Sequence, residues 1–128
     1  MEVVALDKNI IIAGFAGDQS VLEGLDSVEK IYIPATVAGE LCFGAFKSEK
    51  LLDNLKRVTD FVNQFEMIMI DMEVSVRYGI IKSDLQKRGT PVADNDLWIA
   101  ACAIQRNVPL VTRDSHFDRV DGLSKLQW

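Results

Sequence analysis

Apolar residues in this chain fall into two kinds of run. Short blocks, namely Val3-Val4-Ala5-Leu6, Ile31-Tyr32-Ile33, Met67-Ile68-Met69-Ile70 and residues 109–112, are bounded by charged or turn-forming residues. They read as buried strands. Between them, apolar positions recur three or four apart, the period of a helix with one buried face. The spacing predicts helices over about 9–15, 36–47, 49–64, 72–86 and 94–106. In the helix over 49–64, Leu51, Leu52, Leu55, Val58, Phe61 and Val62 share a face, and Ser48 is the predicted N-cap. Gly14, Gly17 and Asp18 predict a break, with no further helix before the second strand. Leu126-Gln127-Trp128 predicts a short last strand. Strands alternating with helices imply a three-layer α/β/α sandwich around a central parallel sheet, here as one domain over residues 1–128.

The hydrophobic share, 48% of 128 residues, is enough for a sizeable core. No apolar run approaches the roughly 20 residues that span a bilayer. Glu2 and Asp7 argue against a signal peptide, which makes a cytoplasmic protein the expectation. Cys42 and Cys102 lie in apolar surroundings far apart in sequence and read as buried, reduced thiols. A net charge of −5 argues against general nucleic-acid binding. A nucleic-acid substrate would need metal ions or a local basic patch.

That condition gives weight to acids at strand ends, where α/β sheets bind ligands. Asp7 directly follows the first apolar block; as a plain alternative it caps the following helix. Glu40 is the only charge between Lys30 and Lys47. It faces either a solvent stripe with Thr36 and Lys47 or a cleft. Asp94, Asn95 and Asp96 open the last helix, where the helix dipole favours acids without any function. Asp96 shares a face with Ile99, Ala100 and Ala103 and should point inward; Asp94 lies above Leu97, Trp98 and Ala101 and could also turn in. Asp114 follows the fourth strand, with Thr112 near enough to donate its hydroxyl to a neighbouring carboxylate. Arg113 contacts a phosphate or faces solvent. His116, the single histidine, cannot build a histidine cluster, which disfavours zinc. Clustered carboxylates select a hard cation, Mg²⁺ or Mn²⁺, and the matching chemistry is metal-assisted hydrolysis of a phosphate ester. A phosphoacceptor receiver domain is the other α/β candidate, on the strength of Asp71, but Lys8 stands where it needs a second acid.

These segments resemble the PIN-domain nucleases, and among them the VapC-type toxins of toxin–antitoxin pairs. LDKNIIIAGF is similar to the family's opening strand, acid and helix. VAGELCFGA resembles its glutamate motif, DLWIAACAI and PLVTRDSHF its third and fourth acids, and LSKLQW its terminal strand. The resemblance implies that Asp7, Glu40, Asp96 and Asp114 form the catalytic quartet. Asp7, Asp96 and Asp114 would hold Mg²⁺ or Mn²⁺, and Asn9, Asp94 and Thr112 would support the pocket. It also implies an endoribonuclease toxin, a homodimer, and a small antitoxin laid across the site. One departure is Lys8, where the family commonly has Thr or Ser. Pointing inward, it would compete with metal or bind phosphate, and it is the one support for a catalytically inactive module that binds RNA or a protein. RNA would approach along nearby basic residues, with Lys8, Lys47, Lys50, Arg113 and Arg119 as candidates.

Overall fold

The structure, a computed structural model, describes residues 2–128. Five strands form one sheet: β1 (Val3–Leu6), β2 (Lys30–Pro34), β3 (Glu66–Ile68), β4 (Leu110–Val111) and β5 (Lys125–Leu126). All pairings are parallel and the order is β3-β2-β1-β4-β5. Six helices complete the three-layer sandwich: α1 (Lys8–Phe15), α2 (Gln19–Ser27), α3 (Ala35–Phe46), α4 (Leu51–Val62), α5 (Met72–Arg88) and α6 (Asp94–Arg106). The order differs from the 2-1-3-4-5 arrangement of flavodoxin-like folds. Asp71 is spent as the α5 N-cap, accepting the Val74 N–H at 2.9 Å. Both observations set the receiver reading aside.

β1 occupies the centre, so it is shielded on both edges as well as both faces. Val4, Ala5 and Leu6 have no exposed surface. Continuous apolar sequence is what a strand buried on both faces requires. The chain leaves β1 towards β2 on one side and reaches β4 on the other. The carboxyl ends of β1 and β4 therefore flank a topological switch point, the usual crevice for a ligand in open α/β sheets. α6 packs Leu97 and all residues from Ile99 to Ala103 into the core. Its buried face sets the direction of the polar residues in its first turn.

Four differences from the sequence reading have local causes. α2 is present: Asp18 ends one helix but also caps the next, accepting from the backbone N–H groups of Ser20 and Val21. Gly24 sits inside α2 because the Trp128 indole lies against it; an added Cβ there would run into the ring. α4 begins at Leu51, and Ser48 is not its cap. The Ser48 hydroxyl instead donates to the Ala45 carbonyl at 2.7 Å and accepts from the Asn54 amide at 2.9 Å. β3 stops at Ile68, leaving Met69 and Ile70 exposed. Of the cysteines, Cys102 is buried, its thiol pushed up to about 11 by desolvation, whereas Cys42 is only half-buried. None of the helices among the described residues is long and apolar enough to cross a membrane.

Candidate active site

Four elements deliver acids to the switch point. Asp7 follows β1 and caps α1, so both readings of it hold at once. Its Oδ1 accepts the Lys8 backbone N–H at 2.7 Å and its Oδ2 accepts the Thr112 hydroxyl at 2.7 Å. Thr112 follows β4 and is as deeply buried as Asp7. Its Oγ1 also accepts the Asp114 backbone N–H at 3.0 Å. One threonine thus ties the ends of β1 and β4 and positions two acids. Burial raises the Asp7 carboxyl above its ordinary range, the Thr112 bond opposing and the nearby Asp114 charge adding.

Glu40, on α3, faces the cleft rather than a solvent stripe. The Lys8 ammonium lies 3.6 Å from its Oε2, while Oε1 is buried without a hydrogen-bond partner. Burial raises its pKa, the Lys8 charge opposes, and Asp7 adds to the rise. Lys8 therefore points into the pocket. Asp96, in the first turn of α6, has its carboxyl pushed up to about 6. Desolvation is the leading cause, followed by repulsion from Asp114, Asp7 and Glu40. Asp96 feels the charges of the other three acids, and Thr112 holds Asp7 and Asp114 side by side at the same end of the sheet.

Two residues assigned a supporting place do not join the pocket. Asp94 turns away: its Oδ1 accepts the Tyr78 hydroxyl at 2.9 Å and the Lys82 ammonium at 3.0 Å. The Tyr78 ring, stacked on Trp98 at 3.9 Å, carries that hydroxyl to it. Two residues, about 200° around the helix, separate Asp94 from Asp96, and Asp94 falls on the outward face. Asn9 is exposed on α1, with no hydrogen bond to the four acids. Conversely, His116 does join. Its backbone N–H donates to Asp114 Oδ1 at 2.9 Å, and its Nδ1 lies 3.2 Å from the same oxygen. Asp96, Asp114 and His116 offer ligand atoms within 4.8 Å of one another.

This donor set fits a divalent cation. Among the described residues no donor reaches the Asp96 carboxylate, Glu40 holds an orphaned buried oxygen, and the other three acids add to the rise of the Asp96 pKa. Such uncompensated negative charge is what a bound cation relieves. The ligands are mainly carboxylate oxygens, suited to hard ions.

Beside the acids runs a groove of about 510 Å³ between α1, α3 and α4. Lys8, Lys47 and Arg57 line it against the single acid Glu40. Arg57 was not singled out by sequence, since nothing local marks it; it donates to the Phe15 carbonyl at 2.7 Å, across 42 residues. Lys50 does not line the groove, and the remaining two basic candidates are committed elsewhere. Arg113 pairs with Asp18 at 2.9 Å and donates to the Trp128 carbonyl, and Arg119 donates to the Pro91 carbonyl.

A parallel α/β sandwich with acids converging beside its central strand defines the class, and the PIN-domain family model matches residues 4–123. The chain belongs to the PIN-domain family. It is 32% identical over 108 residues to "Ribonuclease VapC2" of Rickettsia felis, covering 84% of this chain and 81% of that one. It is 30% identical over 103 residues to the "tRNA(fMet)-specific endonuclease VapC" of Salmonella typhimurium, covering 80% and 78%. The structure of VapBC2 from Rickettsia felis bound to a promoter DNA fragment superposes with a TM-score of 0.91 at 28% identity, covering 98% of both chains.

Proposed function

We propose that the protein is a metal-dependent endoribonuclease, the toxin of a toxin–antitoxin pair, folded as a single domain over residues 1–128. The observation that carries the reading is the convergence of Asp7, Glu40, Asp96 and Asp114 from four elements on one switch-point pocket. The ribonuclease names of the relatives support the substrate class.

Asp7, Asp96 and Asp114 would hold the cation, Mg²⁺ or Mn²⁺, with His116 beside Asp96 and Asp114 as a further donor. When bound, the cation supplies a polarised water and neutralises charge on the phosphoryl oxygens. Thr112 keeps Asp7 and Asp114 in place with its donated and accepted hydrogen bonds. Glu40, through its unpartnered Oε1, accepts the proton of the attacking water. The water oxygen bonds to phosphorus as the bond to the leaving ribose oxygen breaks. The RNA strand follows the groove, its phosphates against Lys8, Lys47 and Arg57, and exposed Phe43 offers a ring for base stacking. That local basic lining answers the objection raised by the net charge of −5.

Relatives crystallised as VapBC complexes support a small antitoxin as partner. Exposed Phe43 and Phe46 on α3, with Met72, Val76 and Ile80 four residues apart on α5, supply apolar surface for that partner and for a second copy.

The test incubates purified protein with Mn²⁺ and structured RNA beside Asp7→Asn and Asp96→Asn. Wild-type cleavage with loss in both variants is expected, and equal cleavage by all three overturns the assignment. The Lys8–Glu40 ion pair favours a second reading, an inactive module, for which a titration showing no divalent-ion affinity would speak.

A further inference from the structure

The pocket is divided. On one side Asp96, Asp114 and His116 bring three ligand atoms within 4.8 Å of one another. On the other stands Glu40, with Asp7 between the two halves, and at Glu40 the chain supplies its own cation. The Lys8 ammonium lies 3.6 Å from Glu40 Oε2, and its charge also acts on Asp7. Both Asp7 oxygens already accept hydrogen bonds, from the Lys8 backbone and from Thr112. Two-metal phosphodiesterase centres space their ions about 3.5–4 Å apart, with carboxylates serving each ion. Here the carboxylate that a second ion would need is paired to an ammonium.

We propose that Lys8 stands in for a second divalent cation, making this a one-metal centre with a tethered organic charge in the other half. The inference rests on the metal-dependent reading above and goes beyond it by fixing the stoichiometry. The ammonium sits next to Asp7 in the chain, so holding it there requires no binding from solution. It repels any divalent ion approaching Glu40 within a few ångströms, where Coulomb energies are large even at a high effective dielectric. Lys8 is accordingly a positioning residue. It partners Glu40 Oε2 and leaves the buried Oε1 without a partner. It also opens onto the RNA groove, so the same charge is available to a phosphate.

The experiment counts ions. Isothermal titration of the full chain with Mn²⁺, alone and without RNA, is run on wild type, Lys8→Thr, Lys8→Gln and Lys8→Arg. Circular dichroism melts confirm folding, and Lys8→Gln offers a longer neutral side chain should Lys8→Thr not fold. One ion is expected for wild type and Lys8→Arg. Two are expected for the neutral variants, with the first bound about tenfold or more tighter once the competing charge is gone. The paramagnetic resonance spectrum of Mn²⁺ adds an independent signature, since two ions at that spacing couple and a lone ion does not. Two ions in wild type, or one ion in the neutral variants, overturns the proposal. No ion in wild type overturns it together with the metal-dependent reading. An intact one-to-two pattern without RNA cleavage would remove the nuclease assignment and leave the stoichiometry standing.

Discussion

Asp96 carries a cost that can be measured without any RNA. In the metal-free protein its carboxyl is pushed from 3.8 to about 6, first by desolvation and then by the other acids. At about 1.4 kcal/mol per pH unit, that rise corresponds to about 3 kcal/mol of destabilisation when the group is ionised. Asp96 is half-exposed, so solvent screens the effect, and about 1–1.5 kcal/mol is a sounder expectation. The native pKa lies above the unfolded one. The penalty is therefore absent below about pH 4, grows as pH rises towards 6, and is complete above it. Asp96→Asn removes the charge, and it breaks no hydrogen bond among the described residues. In EDTA at pH 7.5 the variant should melt about 4–6 °C above wild type, and at pH 4 the two should coincide. With Mn²⁺ at a hundred times its dissociation constant, wild type gains about 2.7 kcal/mol, and the order reverses. Scanning fluorimetry or circular dichroism across pH reads all three conditions. A variant less stable than wild type in EDTA at pH 7.5 would refute the reasoning, as would a gain that persists unchanged at pH 4.

Other outcomes follow from the same contacts. Thr112→Val leaves Asp7 Oδ2 and the Asp114 N–H without partners, so denaturant unfolding should show a loss of about 1–3 kcal/mol; an unchanged midpoint would contradict the tie between β1 and β4. Gly24→Ala forces the Trp128 indole aside, costing about 1–3 kcal/mol and shifting tryptophan emission to the red; emission that stays in place would mean the ring is not seated there. Lys47→Ala should weaken binding of a non-cleavable single-stranded RNA and lower its salt slope by about 0.7, with Mn²⁺ affinity unchanged; an unaltered slope would take Lys47 out of the RNA path.

Much of the architecture is legible because β1, β2 and β4 are buried on both faces along most of their length, so the sequence of each is a short apolar block between breaks. The inward turn of Asp96 was legible for a related reason. Apolar sequence from Leu97 to Ile104 leaves little doubt about which face of α6 is buried, and that face fixes the first turn. Asp94 stayed open because its orientation depends on Tyr78 and Lys82, sixteen and twelve residues away on another helix. The Lys8 orientation depended likewise on a glutamate 32 positions on, and Glu40 on that lysine. α2 is hidden in the sequence because Gly17 and Asp18 read as a break, although Asp18 also caps the helix that follows. Asp18 followed by Val21, Leu22 and Leu25 carries a capping signal and a helical spacing that could have revealed it. His116 was discounted for want of other histidines. Its place beside Asp96 and Asp114 arises from a 3-10 turn over Ser115–Arg119, which no periodicity announces.

The central position of β1 has a consequence for the order of events in synthesis. β1 leaves the ribosome well before one of its two neighbours, β4, which is made about a hundred residues later. Until β4 arrives, β1 has an open edge, Asp7 lacks Thr112, and Asp114 does not exist. Non-local pairings of this kind are also the slow ones to form. A nascent chain is therefore harmless to the RNA around it. On the proposed function, a product that stops short of β4 would lack Thr112 and Asp114 and would be silent.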